Sequence, residues 1–75
     1  MKFYEALPLL EQGKKIKRRH LGGYWYKTNV EVPVYEFDSI NYVTPMIIAK
    51  LKDGGYAPAT AYQEDLLADD WEVVE

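Results

Sequence analysis

The stretch that decides the fold reads FYEALPLLEQGKKIKR and covers residues 3–18. Over residues 3–12 the apolar side chains recur at the i, i+3, i+4 and i+7 spacing of one helix face, which predicts an amphipathic N-terminal helix. Gly13 predicts the end of this helix, because glycine readily adopts the left-handed conformation that terminates helices. Pro8 lies inside the pattern and indicates either a kink or a late helix start just before it.

The residues that follow the helix predict a β-strand. Residues 14–19 read KKIKRR, in which Ile16 is the one apolar side chain. The two-residue period of a strand places Arg18 on the same face as Ile16 and places Lys17 on the opposite face. A helix that leads directly into a strand is typical of a mixed α and β domain.

The rest of the chain predicts further strands and one short helix. Pro33 interrupts the valine alternation of residues 30–34 and indicates an edge strand or an irregular loop. Residues 35–44 are predicted to form an insertion or a long loop, and the Asp-Gly-Gly sequence at residues 53–55 predicts a turn. The other predicted elements are strands at residues 24–28, 45–51, 56–59 and 71–74 and a short helical turn at residues 63–68.

These elements predict one α+β domain over residues 1–75. An N-terminal helix packs on a small, mostly antiparallel β-sheet, and a short helical turn precedes the C-terminal strand. Trp71 is expected to pack in the core with Leu66 and Leu67. Asp69 and Asp70 are expected to be exposed.

The composition limits the kinds of site that the chain can hold. It has no cysteine and only one histidine, so disulfides, thiolate zinc sites and a histidine-rich metal site within one chain are excluded. Seven tyrosines and two tryptophans are many for a core this small, which favours an interface or a ligand site. Small domains without disulfides or metals often depend on oligomerisation.

The charge distribution favours a small anion as a partner. The net charge of −3 argues against a nucleic-acid polymer, which requires a basic surface. Five of the nine basic residues nevertheless lie in residues 14–19, whereas six of the twelve acidic residues follow residue 63. No apolar run of about 18 residues is present, so we predict no membrane span.

Arg18 is the first candidate for a functional residue. A charge on an inward strand face needs a partner, and the sequence leaves open whether that partner is an internal acid such as Asp65 or a ligand phosphate. Asp65 can contact a ligand or cap the short helix, and we prefer capping. His20 is interpreted as the polar lining of a pocket rim or as an exposed side chain rather than as a general base.

Glycines and tyrosines after the basic strand form a second group of candidates. Gly22 and Gly23 indicate either a turn between strands or a loop that lets a ligand approach the backbone. They match neither a phosphate-binding loop nor a dinucleotide fingerprint. Because one small core cannot hide every aromatic ring, some of the tyrosines at positions 24, 26, 56 and 62 should line an interface or stack on a ligand base.

Two motifs together resemble a known family. The first is Phe-x-x-Ala-Leu followed by a glycine-lysine-lysine-aliphatic-x-arginine strand, both within residues 3–18. The second is Asp-Leu-Leu-Ala-x-Asp-Trp at residues 65–71. This pairing resembles the second Thoeris anti-defence family of phage proteins, and the similarity covers roughly residues 3–24 and 54–74.

The resemblance implies a function in the cytoplasm of an infected bacterial host. Family members are sponges, which bind a cyclic ADP-ribose derivative or a cyclic oligonucleotide and hold it without degrading it. The resemblance also implies a homo-oligomer, expected to be a tetramer built as a dimer of dimers, and no cofactor.

The same resemblance implies a set of ligand-binding residues. Arg18 would pair with phosphate, three of these tyrosines would stack on the ligand or close the pocket, and the two glycines and Thr60 would offer backbone and hydroxyl hydrogen bonds. The candidate ligand-binding residues are Arg18, His20, Gly22, Gly23, Tyr24, Tyr26, Thr60, Tyr62 and Asp65.

Two other kinds of function remain as alternatives to a sponge. The first is a protein-interaction module that inhibits a host enzyme through an acidic and aromatic surface. The second is a small enzyme, which the sequence disfavours because it lacks metal-ligand clusters and any nucleophile–base pair. We therefore predict a protein that is not an enzyme.

Overall fold

The computed structural model describes residues 1–34 and 40–74 and confirms the α+β arrangement. A nine-residue helix packs on a five-stranded sheet, and a second helix of five residues precedes the last strand. In chain order the elements are α1 (Phe3–Glu11), β1 (Lys15–Arg18), β2 (Tyr24–Val34), β3 (Ile40–Lys50), β4 (Tyr56–Pro58), α2 (Gln63–Leu67) and β5 (Trp71–Val74).

Both ends of α1 are closed by local hydrogen bonds. At its start the backbone nitrogen of Lys2 donates to Glu5 Oε1 at 2.9 Å. At its end Gly13 has a φ of 95°, and the amide of Lys14 donates back to the carbonyl of Leu9 at 3.1 Å, which satisfies a carbonyl of the last turn. The predicted stop at Gly13 is confirmed, whereas the late start before Pro8 is wrong because the helix already begins at Phe3.

The strands lie in the order β4-β3-β2-β1-β5, and each pair is antiparallel. The prediction of a loop over residues 35–44 is wrong for residues 40–44, which belong to β3, while residues 35–39 lie outside the described residues. Residues 40–44 pair in register with residues 30–34 of β2, so the valine alternation continues a long strand rather than forming a loop. Around Pro33, β3 is the only described strand that pairs with β2. A strand segment with one open side tolerates proline, which cannot donate a backbone hydrogen bond.

The core lies between α1 and the sheet. Among the residues whose burial the structure describes, four apolar side chains are fully buried or nearly so: Ala6, Leu10, Ile16 and Trp71. Phe3 and Trp25 complete an aromatic cluster around Trp71, with ring centroids 5.2 and 5.1 Å from it. The expected place of Trp71 in the core is confirmed. The expected packing of Leu66 and Leu67 beside it is wrong, because these side chains are 43% and 75% exposed on α2.

The turn between β1 and β2 approaches the end of β3 very closely. Gly23 has a φ of 79°, and a Cβ atom built on it would lie 2.1 Å from the carbonyl oxygen of Lys50. Only glycine fits this position, for both conformational and steric reasons. The turn at residues 51–55 lies beside the β1–β2 turn. In it Gly54 has a φ of 98°, and the Gly55 amide donates a hydrogen bond to Asp53 Oδ1. These two turns form one side of the cavity described below.

The described helices are short relative to a bilayer. None of them is long and apolar enough to cross a membrane.

Candidate functional site

A cavity of about 480 Å³ opens between the two turns, α2 and the ends of the central strands. Its apolar surface includes Trp25, Ala49 and Trp71, and its polar surface combines lysines, an arginine and two carboxylates. The lining residues are Lys17, Arg18, Leu21, Gly22, Gly23, Tyr24, Trp25, Ala49, Lys50, Leu51, Lys52, Thr60, Tyr62, Glu64, Asp65 and Trp71.

One wall of the cavity is built around Arg18. Its Nη1 donates to Asp65 Oδ1 at 2.8 Å, and its Nε donates to Asp70 Oδ1. His20 Nδ1 lies 2.9 Å from the other oxygen of Asp70. We call these four residues the arginine cluster. It joins β1, the turn after it, α2 and the residue before β5.

Asp65 has several structural roles at once. Its second carboxylate oxygen accepts a hydrogen bond from the Tyr62 amide at 3.0 Å, so it caps the start of α2 as expected. Its backbone carbonyl accepts a bond from Trp71 Nε1 at 2.8 Å. The sequence left open whether Arg18 meets an internal acid or a phosphate, and the structure places Asp65 against the guanidinium.

The hydrogen bonds of the cluster shift two pKa values. The bond from Arg18 holds the pKa of Asp70 below its ordinary value, and the bond from His20 acts in the same direction, while partial burial opposes both. The bond to Asp70 raises the pKa of Arg18, with Asp65 acting in the same direction and desolvation opposing. Arg18 and Asp70 are therefore both charged at neutral pH.

Seven of the nine sequence-predicted site residues line the cavity. They are Arg18, Gly22, Gly23, Tyr24, Thr60, Tyr62 and Asp65. His20 does not line it and is 61% exposed, although it contacts Asp70. Tyr26 is also absent from the lining and packs between Tyr24 and Tyr56 at centroid distances of 6.0 and 6.5 Å.

Sequence reasoning missed several residues of the site. Asp70 was expected to be exposed, but its side chain is only 22% exposed and binds both Arg18 and His20. The strand register could have indicated it, since Arg18 pairs with Trp71 and the Arg19 amide donates to the Asp70 carbonyl at 3.1 Å. Lys52 lies in a turn that carried no sequence signal for ligand binding.

The chemistry of the cavity suits binding. Indole and tyrosine rings can contact a planar aromatic group, and lysines and backbone amides can bind an anion. No histidine lines the cavity. In the described part of the chain no group of three or more His, Cys, Asp or Glu side chains is arranged to hold a metal ion.

A family model matches nearly the whole chain. The family model described as Tad2-like, the Thoeris anti-defense 2-like domain, matches residues 1–74. The match confirms the resemblance indicated by the motifs at the two ends of the chain. No curated protein matches the chain.

Proposed function

The chain belongs to the Thoeris anti-defense 2-like family, and we propose that it is a sponge that captures a cyclic nucleotide-type immune signal without degrading it. Family membership supports a role against Thoeris defence. The observation that carries the sponge proposal is the cavity of about 480 Å³, which combines aromatic surface with cationic side chains. A volume in the range of roughly 300–1,000 Å³ is typical of small-molecule sites.

A cyclic ADP-ribose derivative or a cyclic oligonucleotide offers the groups that this surface complements. Its base is a planar ring that can stack on an aromatic side chain, and Tyr24, Trp25 and Tyr62 line the cavity. Its phosphates are anions, and the cavity lining has four cationic side chains but only two carboxylates. The hydroxyl of Thr60 and the backbone at Gly22 and Gly23 supply further hydrogen-bonding groups.

The two predicted residues outside the lining fit this proposal indirectly. His20 would support Asp70 and, through it, the orientation of Arg18. Tyr26 would support Tyr24 by ring contact. Arg18 and Asp65 would form the wall against which the ligand lies.

The groups that line the cavity support the proposal of capture without cleavage. A hydrolase needs an activated nucleophile or a metal-bound water. Thr60 and Tyr62 supply hydroxyl groups, but the one histidine of the chain lies outside the lining. The proposed protein therefore acts in stoichiometric amounts, in the cytoplasm of the infected host.

We propose that several chains assemble into a homo-oligomer, a tetramer built as a dimer of dimers. The supporting observation is a set of large apolar side chains that the described part of the monomer leaves exposed. Tyr4, Tyr56, Tyr62 and Leu67 are each between 61% and 75% exposed. An oligomer would bury such side chains, since tyrosine and other large apolar residues are favoured in protein interfaces.

A protein-interaction module is the second candidate. The observation that favours it is the exposed pair Leu66 and Leu67, which lies close in sequence to the exposed acids Glu64 and Asp69. Such a surface could cover a basic patch on a host enzyme. A protein-interaction module of this kind would leave the cavity without a function.

Recovery of intact ligand separates the two candidates. The protein is incubated with cyclic ADP-ribose isomers or cyclic dinucleotides, filtered, and then heat-denatured. A sponge depletes free ligand only in proportion to its own concentration and returns all of it chemically unchanged. Failure to deplete any probe supports the interaction module, and multiple turnover with a new product would establish an enzyme.

A further inference from the structure

We propose that Lys52 is the anion-binding residue of this cavity, acting with the backbone amides of Gly22 and Gly23, and that Arg18 is a positioning residue. The part of this inference that concerns a nucleotide phosphate rests on the proposed function. The anion subsite itself can be tested without any nucleotide.

The guanidinium of Arg18 is poorly placed to take a phosphate. Two of its nitrogens, Nε and Nη1, already donate to Asp70 and Asp65. Arg18, Asp65 and Asp70 together carry a net charge of −1. A phosphate placed against Arg18 would therefore meet two negative charges at short range, which opposes binding.

Two of the other cations around the cavity are also engaged. Lys17 Nζ lies 4.0 Å from Glu72 Oε1. Lys50 Nζ lies over the rings of Tyr24 and Tyr56, at 5.6 and 6.0 Å from their centroids. Lys52 differs from both, because within the described residues it forms neither an ion pair nor a ring contact.

The side chain of Lys52 is held next to the glycine turn. A Cβ atom built on Gly22 would lie 2.9–3.0 Å from the Cβ, Cγ and Cδ atoms of Lys52, so the aliphatic part of the lysine crosses directly over this glycine. The missing side chain at position 22 leaves the space that the lysine occupies. The first three carbons of the Lys52 side chain therefore pack on the β1–β2 turn.

The same turn supplies backbone donors. Within the described part of the chain, neither the Gly22 amide nor the Gly23 amide donates a hydrogen bond. Both residues line the cavity together with Lys52. A lysine that lines the same cavity as unpaired backbone amides supplies, with them, the two kinds of donor by which proteins bind phosphate groups.

Inorganic pyrophosphate is the probe for this subsite, and amide chemical shifts are the measurement. Titrated into ¹⁵N-labelled protein, it should shift the amides of Gly22, Gly23 and Lys52 in the millimolar range. Lys52→Gln should weaken binding by about three- to tenfold, because one charge-assisted contact is lost. Lys14→Gln removes an exposed lysine outside the cavity lining and should leave the affinity unchanged.

Gly22→Ala provides an independent variant. The new methyl group meets a flexible side chain rather than backbone, so the protein should fold while Lys52 is displaced and pyrophosphate binds more weakly. The slope of log affinity against log salt should also become shallower in Lys52→Gln and stay unchanged in Lys14→Gln.

Three results would overturn the inference. They are the absence of any shift with millimolar pyrophosphate, an unchanged affinity in Lys52→Gln, and shifts confined to the arginine cluster. If pyrophosphate binds through Lys52 while cyclic ADP-ribose and cyclic dinucleotides do not bind, the anion subsite stands and the proposed sponge function fails. If nucleotides bind equally well to Lys52→Gln, the sponge stands and the assignment of a nucleotide phosphate to Lys52 fails.

Discussion

Arg18→Ala should cost the protein much of its stability, even without a ligand. Arg18 Nη1 and Asp65 Oδ1 are 2.8 Å apart, and the two side chains are only 14% and 10% exposed. A hydrogen bond between charged groups at such a site contributes about 1.5–3 kcal/mol, and its removal also leaves a carboxylate without its counter-charge. Since Asp65 keeps the bond from the Tyr62 amide, we expect a loss of about 2–3 kcal/mol from this contact.

Thermal and urea unfolding at neutral pH measure this loss. For a domain of this size, about 2 kcal/mol corresponds to a fall in Tm of roughly 8–16 °C. Lys17→Ala is the matched control, because Lys17 belongs to the same strand but forms only a partly exposed pair with Glu72 at 4.0 Å. Such surface pairs contribute about 0–1 kcal/mol.

A double-mutant cycle with Asp65→Asn then assigns the loss to the contact. If Arg18 and Asp65 act together, the double variant should be little less stable than either single variant. Equal losses in Arg18→Ala and Lys17→Ala, or strictly additive losses in the double variant, would refute the structural role assigned to Arg18.

Further predictions concern pH, the glycine conformations and assembly. The pKa of Asp70 lies below its ordinary value of 3.8, so its stabilising contribution is complete above that value and is lost as the pH falls through the lower folded-state pKa. Acid unfolding followed by circular dichroism below about pH 4 should therefore be less steep in Asp70→Asn than in the unchanged protein. Gly13→Ala should cost about 1–2 kcal/mol in thermal unfolding, because alanine is strained at a φ of 95°. Gly55→Ala, which has no positive φ, should cost less in the same assay. Gly23→Ala places a methyl group against the Lys50 carbonyl and should abolish cooperative unfolding, whereas a melting temperature close to that of the unchanged protein would contradict this close approach. Light scattering at micromolar concentration should give a mass several times that of one chain, and the mass of a single chain would refute the proposed oligomer.

Local patterns predicted most of the elements because each was encoded within a few residues. The apolar spacing and Gly13 predicted α1 from its own side chains, and the residues of β5 were predicted with the bounds that the structure has. Residues 40–44 were missed because their strand conformation depends on pairing with residues 30–34, which no local pattern reveals.

The site was harder to predict than the fold because its contacts join distant segments. Asp65 was singled out as a cap and as a possible partner of Arg18, and both contacts are present. Asp70 was missed because its role depends on the register between β1 and β5. Lys52 was missed because its position depends on the packing of one turn over another.

If the chain captures a ligand as proposed, the position of β5 at the sheet edge would affect how long that ligand is held. The two carboxylates that hold Arg18 are 47 and 52 residues away from it in sequence, whereas β2 and β3 pair as consecutive segments. Segments held by contacts of such long range can open locally while the rest of a domain stays folded, and amide hydrogen exchange detects this as faster exchange in those segments. Detachment of α2 and β5 would remove one wall of the cavity and withdraw Trp71 from the core, and the β2–β3 ladder would stay paired. The lifetime of the captured state would then depend on this sub-global opening and not on global unfolding of the domain.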